Sequence, residues 1–171
     1  MKYLIVCGGK TDKEFGLNEI KTDGIDAIIA ADSGMDFLYE NGVTPDIIVG
    51  DFDSATTKAL EFFERKGQTE IHRLNPIKDD TDTEYAIRLA IREGARSIVM
   101  LGATGSRIDH VLGNISLLGI GLESGTDISI IDTNNRIRMS DKPVTIEKSA
   151  QYGRFVSLIA VTDDNEVSLR G

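Results

Sequence analysis

Apolar positions fall into short continuous runs separated by longer stretches with helical spacing. Residues 3–7, 27–31, 47–49 and 97–101 are nearly all apolar. Each run is followed by small or acidic residues. These are Gly8-Gly9, Asp32-Ser33-Gly34, Gly50-Asp51-Phe52-Asp53-Ser54 and Gly102-Ala103-Thr104-Gly105. Strands buried on both faces of a parallel sheet have this pattern, because neither face turns polar. Helical spacing lies between them. Residues 35–41 stop at Gly42, and residues 55–66 follow the N-cap candidate Ser54 and stop at Gly67. Residues 83–93 carry Ala86, Ile87, Ala90 and Ile91 on one face, and residues 109–123 carry Leu112, Ile115, Leu118 and Leu122. Strands alternating with helices predict an α/β fold with a doubly wound, mostly parallel sheet.

The pattern changes near Gly125. Residues 128–132, 137–139, 144–147, 155–160 and 167–169 are strand candidates separated by turn residues such as Thr133-Asn134-Asn135 and Ser140-Asp141. The expected division is an α/β domain over 1–124 and a small, incomplete antiparallel β domain over 125–171. A sheet that small needs the first domain or a second subunit to pack against.

Composition narrows the function. The 171 residues include 28 acidic and 19 basic side chains, a formal charge of −9. Nucleic-acid binding is not expected, because phosphate-backbone contacts need a basic face. The single cysteine, Cys7, excludes a disulfide framework and a thiolate metal cage. It reads as a buried core thiol. The apolar runs are too short for a signal peptide or membrane span, so the expected location is the cytoplasm.

In an open α/β sheet, ligands bind at the carboxyl ends of the strands. Asp32, Asp51 and Asp53 stand at such ends, and Lys78-Asp79-Asp80-Thr81-Asp82 precedes a helix. Hard oxygen ligands from several carboxylates suit Mg²⁺. The same acids also suit helix N-caps and helix-dipole partners. A second cluster runs Gly102-Ala103-Thr104-Gly105-Ser106-Arg107-Ile108-Asp109-His110, with Asn114 four residues after His110. Glycines such as Gly105 let backbone N–H groups approach a phosphate at a helix N-terminus, and Arg107 can clamp its oxygens. His110 could donate to phosphate, act as a base or bind metal. Lys10 is a weaker phosphate candidate, and His72 reads as structural. P-loop, dinucleotide, serine-hydrolase and zinc-protease signatures are absent. The residues alone point to a Mg²⁺-dependent enzyme acting on a phosphate compound, with a nucleotide as the favoured case.

These stretches, with Ala31-Asp32-Ser33-Gly34 and the segments Gly50-Asp51-Phe52-Asp53-Ser54 and Gly105-Ser106-Arg107-Ile108-Asp109-His110…Asn114, resemble the thiamine pyrophosphokinases. The resemblance implies a nucleotide-binding α/β domain followed by a β-sandwich, in a homodimer with active sites between subunits. It implies pyrophosphoryl transfer from ATP to the thiamine hydroxyl, giving thiamine diphosphate and AMP. Asp51, Asp53 and Asp82 would hold Mg²⁺, with Asp79 in support. Asp32, Ser33 and Gly34 would line the nucleotide pocket. Arg107 and Asn114 would contact phosphates, and Asp109 would orient thiamine or its hydroxyl. Family members carry more of the β domain and a Ser-Asn-Glu type segment near the end, so the resemblance implies a β domain cut short. Two alternatives are a Mg-ATP-binding protein without transferase activity and a metal-dependent phosphohydrolase. Against the latter, its nucleophile should follow the first strand, whereas Asp51 follows the third.

Overall fold

The computed structural model describes residues 1–53, 55–75, 80–163 and 166–168. The expected N-cap Ser54 and the candidate Asp79 lie outside the described residues. The elements run β1 (Lys2–Val6), α1 (Lys13–Ile20), β2 (Ala27–Ala31), α2 (Gly34–Glu40), β3 (Ile47–Gly50) and α3 (Thr57–Lys66). They continue with β4 (Glu70–Arg73), α4 (Asp82–Arg92), β5 (Ser97–Leu101), α5 (Ile108–Ser124), β6 (Asp127–Ile131) and β7 (Arg136–Arg138).

Seven strands form one sheet in the order β4-β3-β2-β1-β5-β6-β7. The first six pair in parallel, and β7 pairs antiparallel to β6. Side-chain alternation along β1 feeds two cores. Tyr3 and Ile5 join Ile29, Ile98 and Met100 beneath α4 and α5, through Ala86, Ile87, Ala90 and Leu118. Leu4 and Val6 join Ala30, Ile48 and Leu101 on the other face, with Met35 and Leu38 of α2 and Ala59 and Phe63 of α3. Burying such side chains supplies about 1.5–3 kcal/mol each. Helices on both faces explain why the strands are apolar without alternation.

The strand order sets the site. The chain builds β1 to β4 outward in one direction and then returns to lay β5 on the other side of β1. The loops after β1 and β5 therefore leave the sheet toward opposite faces and open a crevice at the carboxyl ends, where such folds bind ligands.

Three features differ from the sequence expectation. Helix α1 was not predicted, because its apolar residues are few and Gly16 interrupts them. It forms because Asp12 accepts a hydrogen bond from the Phe15 N–H at 2.9 Å and because Gly16 packs on Phe37. Residues 128–132 were read as antiparallel, yet β6 is a parallel partner of β5, with Ile128 and Ile130 buried. Among the described residues of that region only β7 is antiparallel. Residues 144–147 and 155–160, expected as strands, pair with no strand among the described residues. Their β-rich composition meets no neighbouring strand among the described residues, and Phe155 and Ile159 are 85% and 84% exposed.

The two-layer packing makes a direct prediction. Phe63 is fully buried and meets Phe62 edge-on at 5.3 Å, whereas Phe62 is 39% exposed. In denaturant titrations Phe63→Ala is expected to lose about 3–5 kcal/mol, and Phe62→Ala clearly less. Equal losses would contradict this packing.

Candidate active site

The loops after β1 and β5 meet backbone to backbone. The Gly9 N–H donates to the Gly102 carbonyl at 2.9 Å, and the Cys7 N–H to the Leu101 carbonyl at 2.8 Å. A Cβ on Gly9 would lie 2.3 Å from the Gly102 oxygen, so no side chain fits there. The β2 loop closes in beside them. A Cβ on Gly34 would lie 1.9 Å from the Val6 oxygen, which brings the start of α2 onto the end of β1. Together these loops open a cavity of about 1160 Å³. Its lining includes Gly8–Thr11, Asp32, Ser33, Asp82 and residues 102–107. Asp109, His110, Asn114 and Asp132 also line it.

The acidic side of this cavity is compact. One carboxylate oxygen from each of Asp32, Asp51 and Asp53 lies within 4.8 Å of the others. Asp32 lines the cavity and belongs to this cluster. Two backbones here adopt positive φ without being glycine, Asp32 at +49° and Phe52 at +64°. Such strain is held only where the surroundings enforce it. Arg73 does part of this by stacking on the Phe52 ring at 5.4 Å, with Glu64 as its ion-pair partner. Burial raises the Asp32 carboxyl above its ordinary range, against a hydrogen bond from the Ser33 N–H, and repulsion from Asp82, Asp51 and Asp53 adds to it. The Oδ1 of Asp32 is buried without a hydrogen-bond partner. A buried oxygen with no donor, facing other carboxylates, fits a hard divalent cation. Asp82, expected among the metal ligands, is the first residue of α4 and lies near Asp32 but outside the three-acid cluster. Its place in the first turn of α4 suits the helix dipole. Asp32, expected to line the nucleotide pocket, lines this cavity and belongs to the cluster.

The opposite side carries the donors. The Asp109 carboxylate accepts from the His110 N–H, but Arg107 gives no side-chain cap to α5, which begins after it at the cavity wall. Its first N–H groups have no intrahelical acceptor, which suits an anion. Arg107 and Asp109 pair at 2.6 Å, and both are more than half exposed. This hydrogen bond, more than any other influence, holds the Asp109 carboxyl below its usual range. His110 is exposed, 3.9 Å from Asp109. Asn114, expected to contact phosphate, donates its amide to the Ala103 carbonyl at 2.8 Å and so supports the glycine loop from beneath. Cys7 and His72 match their structural reading. Burial pushes the Cys7 thiol up to about 12, and His72 is held between Tyr85 and Glu70 on edge strand β4. Sequence reasoning missed Asp132, which lines the cavity from the end of β6. Reading β6 as parallel would have placed it at the same edge as the other acids.

Residues 21–130 match the family model described as thiamin pyrophosphokinase, catalytic domain. The thiamine pyrophosphokinase of Bacillus subtilis is 35% identical over 145 residues, covering 84% of this chain and 67% of that protein. The crystal structure of the Bacillus subtilis enzyme superposes with a TM-score of 0.69 at 32% identity, over 81% of this chain and 64% of that one. The thiamin pyrophosphokinase of Geobacillus thermodenitrificans gives 0.66 at 30% identity, over 80% and 61%. The chain thus spans about two thirds of the length of these relatives. With 110 consecutive residues in the family model and the strand-end acids and glycine loops in place, the chain belongs to the thiamin pyrophosphokinase family.

Proposed function

We propose that the protein transfers a pyrophosphoryl group from ATP to the hydroxyl of thiamine in the cytoplasm, with Mg²⁺, giving thiamine diphosphate and AMP. The observation that carries this reading is the double membership of Asp32. It joins a three-carboxylate cluster to a cavity whose other walls are glycine loops and a helix N-terminus. Asp32, Asp51 and Asp53, with Asp82 beside them, would hold Mg²⁺. When bound, the ion supplies charge neutralisation at the phosphate oxygens.

The chain's own groups do the rest. Backbone N–H groups of the loops after β1 and β5 and the start of α5 receive phosphate oxygens, and Ser33 lines the same pocket, with Gly34 packed behind it on the end of β1. Arg107 supplies a planar fork of donors for them. Asp109, held ionised by Arg107, faces the acceptor side, where it orients the thiamine hydroxyl and accepts its proton. The hydroxyl oxygen bonds to the β-phosphorus. The bond from that phosphorus to the α–β bridging oxygen breaks, and AMP leaves with the electron pair. Positioning and electrostatics carry such a transfer, since little covalent help is needed. An acidic surround also suits the fixed positive charge of thiamine.

Residues 125–171 form the acceptor side and the dimer interface in this proposal. The exposed Val144, Ile146, Phe155, Val156, Leu158 and Ile159 support it, because a second copy would cover them. The same exposure favours a second reading, Mg-ATP binding without transfer, since residues 155–160 have no sheet partner among the described residues.

Assaying the full chain with ATP, thiamine and Mg²⁺ separates the two. Equimolar AMP and thiamine diphosphate are expected, and ATP binding without AMP would instead establish the second reading. Asp53→Ala is expected to lower turnover at least ~100-fold with an unchanged circular dichroism spectrum. Unfolding of that variant would assign Asp53 a structural role.

A further inference from the structure

Asp132 has no part in the chemistry above, yet it is among the most heavily hydrogen-bonded side chains at the cavity. It ends the run of β6. Its Oδ1 accepts from the Asn134 N–H at 2.8 Å, the Asn135 N–H at 2.7 Å and the Asn135 amide at 3.0 Å. Its Oδ2 accepts from the Thr104 hydroxyl at 2.9 Å. Burial alone would raise this carboxyl, but those donors outweigh it and hold it below its ordinary range. The carboxylate therefore folds the β6–β7 turn around itself and ties that turn to the glycine loop. Thr104 stands in the middle of Gly102-Ala103-Thr104-Gly105. The loop is fixed on its other side by the Gly9 N–H and beneath by Asn114. The Tyr152 hydroxyl donates to the Asp132 carbonyl at 2.6 Å, and Arg136 stacks on that tyrosine, so the C-terminal segment is moored to the same residue.

We propose that the Asp132–Thr104 hydrogen bond makes Asp132 a positioning residue, holding the glycine loop with its N–H groups turned toward the phosphates of the nucleotide. The proposal rests on the nucleotide reading given above and extends it to a residue that touches no phosphate itself. Its action runs through a single side-chain contact from a different strand, which sets the loop before any ligand arrives.

The test uses the full chain in three forms: wild type, Thr104→Val and Thr104→Ser. Valine keeps the shape and removes the donor, and serine restores the donor. Hydrogen exchange without ligand reads the loop directly. Amides of residues 102–107 are expected to exchange roughly tenfold faster in Thr104→Val, the factor for one hydrogen bond to a charged group, with serine rescuing the loss. Mg-ATP titration is expected to show a similar weakening in Thr104→Val and the same rescue, with amides of the β1–β2 core unchanged. Equal loop exchange in wild type and Thr104→Val overturns the inference, and so does failure of serine to rescue. If the loop responds as expected but wild type binds no Mg-ATP, the positioning contact stands and the nucleotide reading fails. Asp132→Asn serves as a second variant, because it keeps the size while replacing two acceptors by an acceptor and a donor. It is expected to loosen the same amides, and unchanged exchange there also overturns the inference.

Discussion

Two strand-end loops touch through their backbones, and the rest of the site depends on that contact. The loops after β1 and β5 meet at Gly9 and Gly102 with a 2.9 Å hydrogen bond and no room for a Cβ. A side chain there would push apart the two central strands or fill the crevice between them. Because neither loop has one, the crevice stays open and is bounded there by backbone. The sheet order supplies the crevice, since β1 and β5 are neighbours whose connections run to opposite faces. The neighbouring β2 loop then brings Asp32 to the same edge by packing Gly34 onto β1.

The site is electrostatically divided. Carboxylates gather after β2 and β3, and donors gather after β1 and β5. Isolated, the acidic half is unfavourable: its members repel one another, and burial and that repulsion raise Asp32. In the proposed function a divalent ion with triphosphate would relieve both halves together, the ion meeting the acids and the phosphates the donors. The Arg107–Asp109 pair is different. It is exposed, so solvent screens it and rearranging it costs little. That suits the roles proposed for them, in which Arg107 would turn to a phosphate and Asp109 to the acceptor.

Much of this was legible in the sequence, for a physical reason. Doubly buried parallel strands have no polar face, so residues 27–31 and 97–101 announced themselves with the bounds the structure shows. The acids and glycines were readable because ligands in such sheets bind where the strands end. What was lost depended on distant partners. Helix α1 carries too few apolar residues to be seen alone and forms against α2. Strand β6 looked like the start of a β domain because its sequence cannot say which neighbour it pairs with. With β6 misread, Asp132 was lost too. The tail shows the converse, since residues 155–160 have strand composition and no partner among the described residues, and composition alone does not make a ladder. The role of Asp32 in the carboxylate cluster needed three dimensions, because it lies 19 residues from Asp51.

Backbone amide chemical shifts of the labelled full chain, recorded as Mg-ATP is added, test the account most directly. Shifts are expected to concentrate in residues 8–11, 32–34, 51–53 and 102–110, the four segments that the strand order brings to one edge. Shifts centred instead on the far ends of the strands, or on the groove of Arg88, Arg92 and Glu123 between α4 and α5, would contradict it.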